Sequence, residues 1–440
     1  MEGAGLTESV VTFVCAAGRK YPIEVMDAAR MCLVDWTGVA IGALNEPAGT
    51  TLRRVVNGSV GRSLVLNGDT ADPWVAALIN GTLAHSLDFD DTHVGSLTHI
   101  SGPTWAAVLA LAPEVENGDL LGAFVTGFET GARLGINFGP ALLERGLHAT
   151  GIVGCIAAAA AGCALLRLDQ TQTAHALGLA LTQAAGLTAS FGTMAKPFHA
   201  GKAAMNAVLA VQLARAGFTG APNILDKPND LARTLVQDGT IQLSSILNDE
   251  WQILQNTFKP YASCLLTHPS IDCAREVYRA RGSVRAKRIR AEVHPLALKL
   301  AGKKAPRTSL EGKFSLSYCI ALGLTGHRAS AADFSDTQLR DKTIATLADR
   351  IELTADPMLR ETAARLTVEI DNTKQVAEVS FALGNPQNPM QWSDMEAKFF
   401  GLTNPHLGAD AKRLFEELNT VNPSAPASVL SRFFARRSHV

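Results

Sequence analysis

Apolar residues recur every three or four positions through most of the first 260 residues, which is the spacing of one face of an α-helix. Clear examples are "IEVMDAARMCLVDWTGVAIGAL" (23–44), "PWVAALINGTLAHSLDF" (73–89) and "AAMNAVLAVQLARAGF" (203–218). Many of these apolar positions are Ala or Gly, so we expect closely packed helices. The run "HATGIVGCIAAAAAGCALLRL" (148–168) is apolar on all sides and predicts a helix that is buried on nearly its whole surface.

After about residue 270 the pattern changes to the alternation that is typical of strands. In "ARLTVEI" (364–370) the residues Leu366, Val368 and Ile370 face one way, and "DNTK" (371–374) has the composition of a hairpin turn. The segment "VRAKRIRAEVHPLAL" (284–298) predicts another strand.

These patterns predict a mainly α protein with two domains. We expect a large all-helical domain over residues 1–268 and a smaller α+β domain over residues 269–399. The segment "DAKRLFEELNTV" returns to helical spacing, so residues 400–440 are expected to pack back on the helical domain.

Composition supports a globular protein and excludes some partners. The chain has 440 residues, which exceeds the usual size of one hydrophobic core, and 47% of them are apolar. Its 40 basic and 41 acidic residues leave a net charge of −1, which provides no electrostatic footprint for nucleic acid or an anionic membrane surface.

Three further features predict a cytoplasmic protein that does not enter a membrane. The first residues, "MEGAGLTESVVTFV", lack the basic start and apolar core of a signal peptide. The longest apolar run, residues 152–166, is short for a bilayer span, which needs about 20 residues. The seven cysteines are widely spaced and contain no CxxC motif, which argues against a disulfide framework or a zinc site.

The first polar cluster is "AHSLDFDDTHVGSLTHISGP" (84–103), where aspartates and histidines alternate with apolar residues. An Asp beside a His suits general acid/base chemistry, and both residue types also bind metals. The spacing fits neither a zinc motif nor a calcium loop. Acid/base catalysis, a metal site and a structural polar network stay open at this stage.

The second cluster is "ASFGTMAKPFHAGKAAMNAV" (189–208), with Lys196 and His199 near the predicted start of a helix. A helix N-terminus attracts carboxylates, and a lysine adds a full positive charge. The alternative is an ordinary surface lysine.

The third cluster is "NTFKPYASCLLTHPSIDCA" (256–274), which places Lys259, Tyr261 and Cys264 close to the predicted domain boundary. Clefts between domains are favoured ligand sites. Cys264 is either a nucleophile or, as free cysteines more often are, a buried inert thiol. His148, at the start of the alanine-rich segment, decides nothing by itself.

Taken together, "HSLDFDDTH…THISGP", "LHATGIVGCIAAAAAG", "GTMAKPFHAGKAAMNAVLAVQLARAGFTGAPNILD", "FKPYASCLLTHPSIDCA" and "RTSLEGKFSLSYC" resemble the MmgE/PrpD family. That family contains 2-methylcitrate dehydratase, cis-aconitate decarboxylase and iminodisuccinate epimerase. The resemblance runs in consistent order from about residue 10 to 400. The sequence departs from the family in having Ile100 where Pro is frequent, and in one extra residue before His99.

The resemblance implies a homodimeric enzyme without metal or cofactor, whose active site lies in the cleft between a helical domain and a lid domain. It also implies the site residues. The catalytic residues carried over are Asp88, His99, Lys196 and Lys259, and Thr92 and His148 are carried over as residues of the pocket. The candidate substrate-binding residues are these last two together with His199 and Tyr261 of the second and third clusters.

The activity that the resemblance implies is a lyase, either a dehydratase or a decarboxylase, that acts on a small di- or tricarboxylate. The main alternative is an epimerase of an amino or imino dicarboxylate. An epimerase needs a second base opposite His99, and Tyr261 or His148 could serve. A homologue that binds carboxylates without turnover is the third possibility.

Overall fold

The computed structural model describes residues 5–16, 19–226, 231–236, 250–282, 286–370 and 373–435. Over this part of the chain the fold is mainly α with a smaller α+β part, as predicted. The helices that precede the large sheet are α1 Leu6–Val14, α2 Ile23–Gly42, α3 Pro47–Val55, α4 Pro73–Ser86, α5 Ser101–Leu111, α6 Leu120–Glu144, α7 Ala149–Leu166, α8 Gln170–Leu181, α9 Ala195–Arg215, α10 Leu231–Val236 and α11 His268–Arg281.

The later helices are interleaved with the strands of the large sheet. They are α12 Pro295–Ala301, α13 Ser309–Gly312, α14 Leu316–Leu324, α15 Asp336–Leu339, α16 Lys342–Asp349, α17 Trp392–Leu407, α18 Asp410–Asn419 and α19 Pro426–Ala435. The strands among the described residues are β1 Ser63–Leu64, β2 Thr70–Ala71, β3 Thr92–His93, β4 Asn256–Thr257, β5 Ala286–Val293, β6 Ile351–Ala355, β7 Ala364–Ile370 and β8 Thr373–Val379. The strand predicted over 284–298 is therefore confirmed as far as Val293, but Pro295 begins α12 instead of continuing it.

Small residues allow the central helices α4, α5, α7 and α9 to pack closely. A Cβ on Gly81 of α4 would lie 2.9 Å from Gly201 Cα of α9, so the two backbones touch there. The helix α7 is long and apolar enough to cross a membrane, but 89% of it is buried against other elements. This agrees with the prediction of a helix buried on nearly all sides.

A four-stranded sheet in the order β6-β5-β7-β8 forms the α+β part, with β5 and β6 parallel and the other pairs antiparallel. Leu366 and Val368 of β7 are fully buried and Ile370 is partly buried, as the alternation predicted. The hairpin between β7 and β8 is confirmed, although residues 371–372 of its predicted turn lie outside the described residues.

The helix α14 connects the two parts of the molecule. Its residues Leu316 and Ile320 belong to the core beneath the sheet, whereas Tyr318 and Leu322 belong to the helical core. Farther along the chain, α17 and α18 pack on α2. The domain borders at residues 268 and 399 stay predictions.

Candidate active site

A cavity of about 110 Å³ lies between the helical part and the sheet part. Most of its lining side chains are apolar, as is usual for sites that bind small molecules. The ionisable side chains among the lining residues are Asp88, His99, His148, Lys196, Lys259, Cys264 and Glu361. The cavity therefore collects residues from all three polar clusters of the sequence.

Asp88 lies in a sharp turn after α4 and has a left-handed backbone, with φ of 50°. Such a conformation costs a non-glycine residue about 1–3 kcal/mol, so the surrounding contacts must hold it. Lys196 Nζ donates to Asp88 Oδ1 at 2.9 Å, and Lys259 Nζ donates to the same oxygen at 2.8 Å. Lys196 lies in the first turn of α9 and is buried, which rules out the surface-lysine alternative.

The two lysines keep the Asp88 carboxylate ionised. Burial by itself raises the pKa of Asp88, but the charges of Lys196 and Lys259 outweigh it and hold that pKa well below its usual range. Burial lowers the pKa of Lys259, and Asp88 reverses this so that the net shift is upward. Within the group of Asp88, Lys196 and Lys259 the charges sum to +1, and this positive charge can attract a substrate carboxylate.

His99 is the acid/base candidate that lies closest to this group. Its Nδ1 is 3.2 Å from Asp90 Oδ2 and 3.3 Å from Thr92 Oγ1, and its Nε2 is 4.0 Å from Asp88 Oδ1. Burial lowers the pKa of His99 more than Asp90 raises it, so the ring is neutral near pH 7. With Asp90 ionised, Nδ1 carries the proton and Nε2 has a free lone pair, as a general base requires.

Asp90 also binds a second histidine, His85, which was not among the predicted site residues. His85 Nδ1 is 2.8 Å from Asp90 Oδ2, and the His85 ring packs edge-on against the His99 ring. Burial lowers the pKa of His85 to about 4, so this ring is neutral too. The pKa of Asp90 lies well below its usual range because the two histidines outweigh its burial.

His85, Asp90 and His99 are also the one group of described residues whose spacing could hold a metal ion. However, the Nδ1 atoms of both histidines face the same Asp90 oxygen at hydrogen-bond distance. A metal would have to displace both protons before it could bind there. The chemistry of the donor set therefore favours a network that orients His99.

The remaining predicted residues differ in how they reach the cavity. Thr92 and His148 line it. His199 is partly exposed and contacts the site through His148, because the two Nδ1 atoms lie 3.0 Å apart. Burial lowers the pKa of both rings, so one neutral ring donates this hydrogen bond and the other accepts it.

Tyr261, like His199, does not line the cavity. Its hydroxyl donates to Asp272 Oδ1, and its side chain lines a separate groove of about 720 Å³. That groove lies on the Phe89 side of the turn at residues 87–90, whereas the cavity lies on the Asp88 side. Cys264 does line the cavity, but burial raises its pKa, which agrees with an unreactive thiol.

A second buried polar network lies behind the turn. Lys398 Nζ is 2.5 Å from Asp35 Oδ1, Asp35 Oδ2 accepts the backbone N–H of Asp91, and Asp91 Oδ2 accepts hydrogen bonds from Ser101 and Asn256. Burial and the nearby Asp35 raise the pKa of Asp91 to about 7. The only sequence signal for this network was the third aspartate of "DFDD".

Comparison with known proteins places the chain in a family of enzymes. The model of the MmgE/PrpD N-terminal domain matches residues 10–244, and that of the MmgE/PrpD C-terminal domain matches residues 261–422.

Curated relatives carry two kinds of name. The chain is 27% identical to cis-aconitate decarboxylase of Homo sapiens, over 74% of this chain and 72% of the human protein. It is 25% identical to cis-aconitate decarboxylase of Aspergillus terreus, over 72% of this chain and 70% of that protein. It is 22% identical to 2-methylcitrate dehydratase of Escherichia coli O157:H7, over 80% of each chain. With both domain models matched in order over most of its length, the chain belongs to the MmgE/PrpD family.

Proposed function

We propose that this protein is a lyase, a dehydratase or decarboxylase, that acts on a small di- or tricarboxylate such as 2-methylcitrate or cis-aconitate. The observation that carries the proposal is the pairing of two buried lysines on Asp88 with a neutral His99 nearby. The names of the relatives, cis-aconitate decarboxylase and 2-methylcitrate dehydratase, support the same reaction class.

The residues suit the formation of a carbanion next to a carboxylate. Lys196 and Lys259 would bind a substrate carboxylate and stabilise the negative charge that develops on it as an enediolate. In a dehydration, His99 Nε2 would take the proton from carbon and deliver it to the departing hydroxyl, which leaves as water. In a decarboxylation, the electron pair of the broken C–C bond would stay on the carbon that CO₂ leaves, and a His99 ring that has first taken a proton from water on Nε2 would deliver that proton to this carbon.

The assigned roles follow from position. Asp88 holds the two lysines side by side, and Asp90 orients the His99 ring. Thr92 lies next to His99 in the cavity wall and can donate a hydrogen bond to a carboxylate.

An epimerase is the second candidate, and His148 is the observation that favours it. An epimerase needs acid/base groups on two faces of one carbon. His148 lines the same cavity as His99 and is held neutral by burial. Tyr261, the other residue suggested for this role, does not line the cavity.

Proton NMR of the chelator-treated protein in D₂O tests the proposal. The compounds are cis-aconitate, 2-methylcitrate, citrate and iminodisuccinate. We expect one of the first three to lose CO₂ or water. Deuterium exchange at carbon in a compound that keeps its connectivity would instead indicate the epimerase. Tight binding without turnover across the panel would indicate a carboxylate-binding homologue.

We further propose that the protein acts in the cytoplasm as a homodimer. Its helical part is rich in small apolar residues, which suit a self-complementary face. Sedimentation equilibrium should give about twice the chain mass of 46.6 kDa. The mass of a single chain at micromolar concentration would contradict the dimer.

A further inference from the structure

Three buried lysines converge on the backbone of the turn that carries Asp88. Lys313 Nζ donates to the Leu87 carbonyl at 2.5 Å, Lys259 Nζ donates to the Asp88 carbonyl at 3.0 Å, and Lys398 Nζ donates to the Phe89 carbonyl at 2.6 Å. Three consecutive carbonyls thus accept hydrogen bonds from three ammonium groups that are distant in sequence. We call Lys259, Lys313 and Lys398 the lysine cradle.

Lys313 differs from the other two members of the cradle in its partners. Lys259 pairs with Asp88 and Lys398 pairs with Asp35, whereas Lys313 has no ion pair with a carboxylate among the described residues. Its hydrogen bonds go to two backbone carbonyls, those of Leu87 and Ala262. Burying an ammonium group without a carboxylate partner costs free energy, so we looked for a role of its contacts with the backbone.

The position of Lys313 connects the turn to two other parts of the site. Its own carbonyl accepts the backbone N–H of Cys264 at 2.9 Å, which fixes it to the segment that follows Lys259. The next residue, Phe314, lines the cavity. Lys313 itself does not line the cavity and does not contact the Asp88 carboxylate.

We propose that Lys313 is a positioning residue for Asp88. Its ammonium group orients the Leu87 carbonyl and thereby holds the left-handed turn in which the Asp88 carboxylate meets Lys196 and Lys259. The geometric part of this inference stands without the proposed function, and only its kinetic part rests on it.

The charge on Lys313 gives the proposal a pH signature. Burial lowers the pKa of Lys313 to about 8; Asp88 and Glu46 oppose this, while Lys259 and Lys196 add to it. As pH rises through this value the ammonium loses its charge and its hydrogen bond to the Leu87 carbonyl weakens, so kcat is expected to fall.

The free energy of unfolding is expected to change in the opposite direction. Between pH 8 and the ordinary value of 10.5 the unfolded chain keeps a proton that the folded protein has released, so this residue's contribution to stability rises.

The test compares Lys313→Met with Lys303→Met as a matched control. Lys303 belongs to the same segment but is exposed and pairs with Glu311. For Lys313→Met we expect kcat to fall by about tenfold or more, with KM changed by less than about threefold, because a reacting group is misplaced. The fall of kcat near pH 8, which is the alkaline limb of its pH profile, should disappear. Lys303→Met should leave kcat, KM and the limb unchanged.

A crystal structure of Lys313→Met tests the geometric part of the proposal without measuring turnover. We expect Asp88 to leave the left-handed region, or at least one lysine contact to lengthen beyond about 3.5 Å. An unchanged turn with both lysine contacts would overturn the proposal, whatever the substrate is. So would a folded variant with the wild-type kcat and alkaline limb.

Lys313→Gln keeps a neutral donor and serves if the Met variant does not fold. The same criteria apply to it: a lower kcat, a missing alkaline limb and a displaced Asp88. If neither variant folds, Lys313 is a structural residue and the positioning role is rejected.

Discussion

Two buried polar networks meet at the turn of residues 87–91, and they respond to burial in opposite ways. On the cavity side, Asp88 receives two lysines and its pKa lies well below the usual range. Behind the turn, Asp35 and Asp91 have one lysine between them, Lys398, and the pKa of each is raised.

The comparison shows that burial alone does not decide the charge state of an aspartate. Burial raises the pKa in both networks, since it disfavours the charged form. Neighbouring cations, hydrogen-bond donors and other carboxylates then decide the outcome. Two lysines on Asp88 give a fixed anion with excess positive charge around it, while one lysine for Asp35 and Asp91 leaves Asp91 close to half-protonated at pH 7.

The largest expected effect is that of Lys259→Met. This variant leaves Asp88 with one lysine partner, as Asp35 has. We expect kcat/KM to fall by about 10²–10³-fold, because a donor for the developing negative charge is lost. The free energy of unfolding should fall by about 3–5 kcal/mol, since a buried ion pair loses one partner. Steady-state kinetics and denaturant unfolding measure the two effects. A variant within threefold of wild type would contradict the role of Lys259.

The next effect is that of His99→Gln, which removes the proposed base but keeps a polar side chain. We expect kcat to fall by about 10²–10⁴-fold, with little change in KM. Because burial places the pKa of His99 below 6.5, a dehydratase that uses this ring as its base should have a kcat/KM that is level between pH 6.5 and the fall near pH 8 expected from Lys313, and that declines at lower pH as the ring gains a proton. His199→Gln is the control, since His199 reaches the cavity only through His148. Equal losses in the two variants would remove His99 from its role.

A smaller effect is expected for Asp91→Asn in the network behind the turn, because the amide resembles the protonated acid. The folded pKa of about 7 exceeds the ordinary 3.8, so between these values the folded protein holds a proton that the unfolded chain has lost. Stability should therefore fall as pH rises from 4 to 7, by at most about 1.4 kcal/mol per pH unit.

In Asp91→Asn this part of the pH dependence should be absent, while kcat stays within about threefold of wild type. Thermal unfolding at several pH values measures it. An unchanged slope between pH 4 and 7 would mean that Asp91 is already ionised in the folded protein.

The smallest effect is expected for Tyr261→Phe, which lies outside both networks. Loss of its hydrogen bond to Asp272 should cost about 1 kcal/mol of stability and should leave kcat and KM within twofold. A loss of kcat beyond about tenfold would mean that Tyr261 takes part in the reaction after all.

The sequence was most informative about elements whose pattern is local. The 3.6-residue spacing located α2 and α4 closely, and the alternation in 364–370 identified β7 and its buried face. The domain borders are harder, because α14 contributes one face to each core and its periodicity does not indicate which core it joins.

The candidate site was predictable only where residues are close in sequence or match the family. Lys196 and Lys259 lie 108 and 171 residues from Asp88, so no spacing rule connects them, and only the resemblance did. His85 was missed, because its role depends on the turn that folds Asp90 back onto it. Lys313 was missed because a lysine between Gly312 and Phe314 gives no sign that it is buried.

The opposite charge states of Asp88 and Asp91 are tested most directly by a ¹³C NMR titration of the aspartate side-chain carboxyl groups, with the signals assigned from Asp88→Asn and Asp91→Asn. We expect the Asp88 resonance to stay at the ionised position down to pH 4, while the Asp91 resonance titrates near pH 7. An Asp88 that titrates between pH 4 and 8, or an Asp91 that is fully ionised at pH 6, would contradict it.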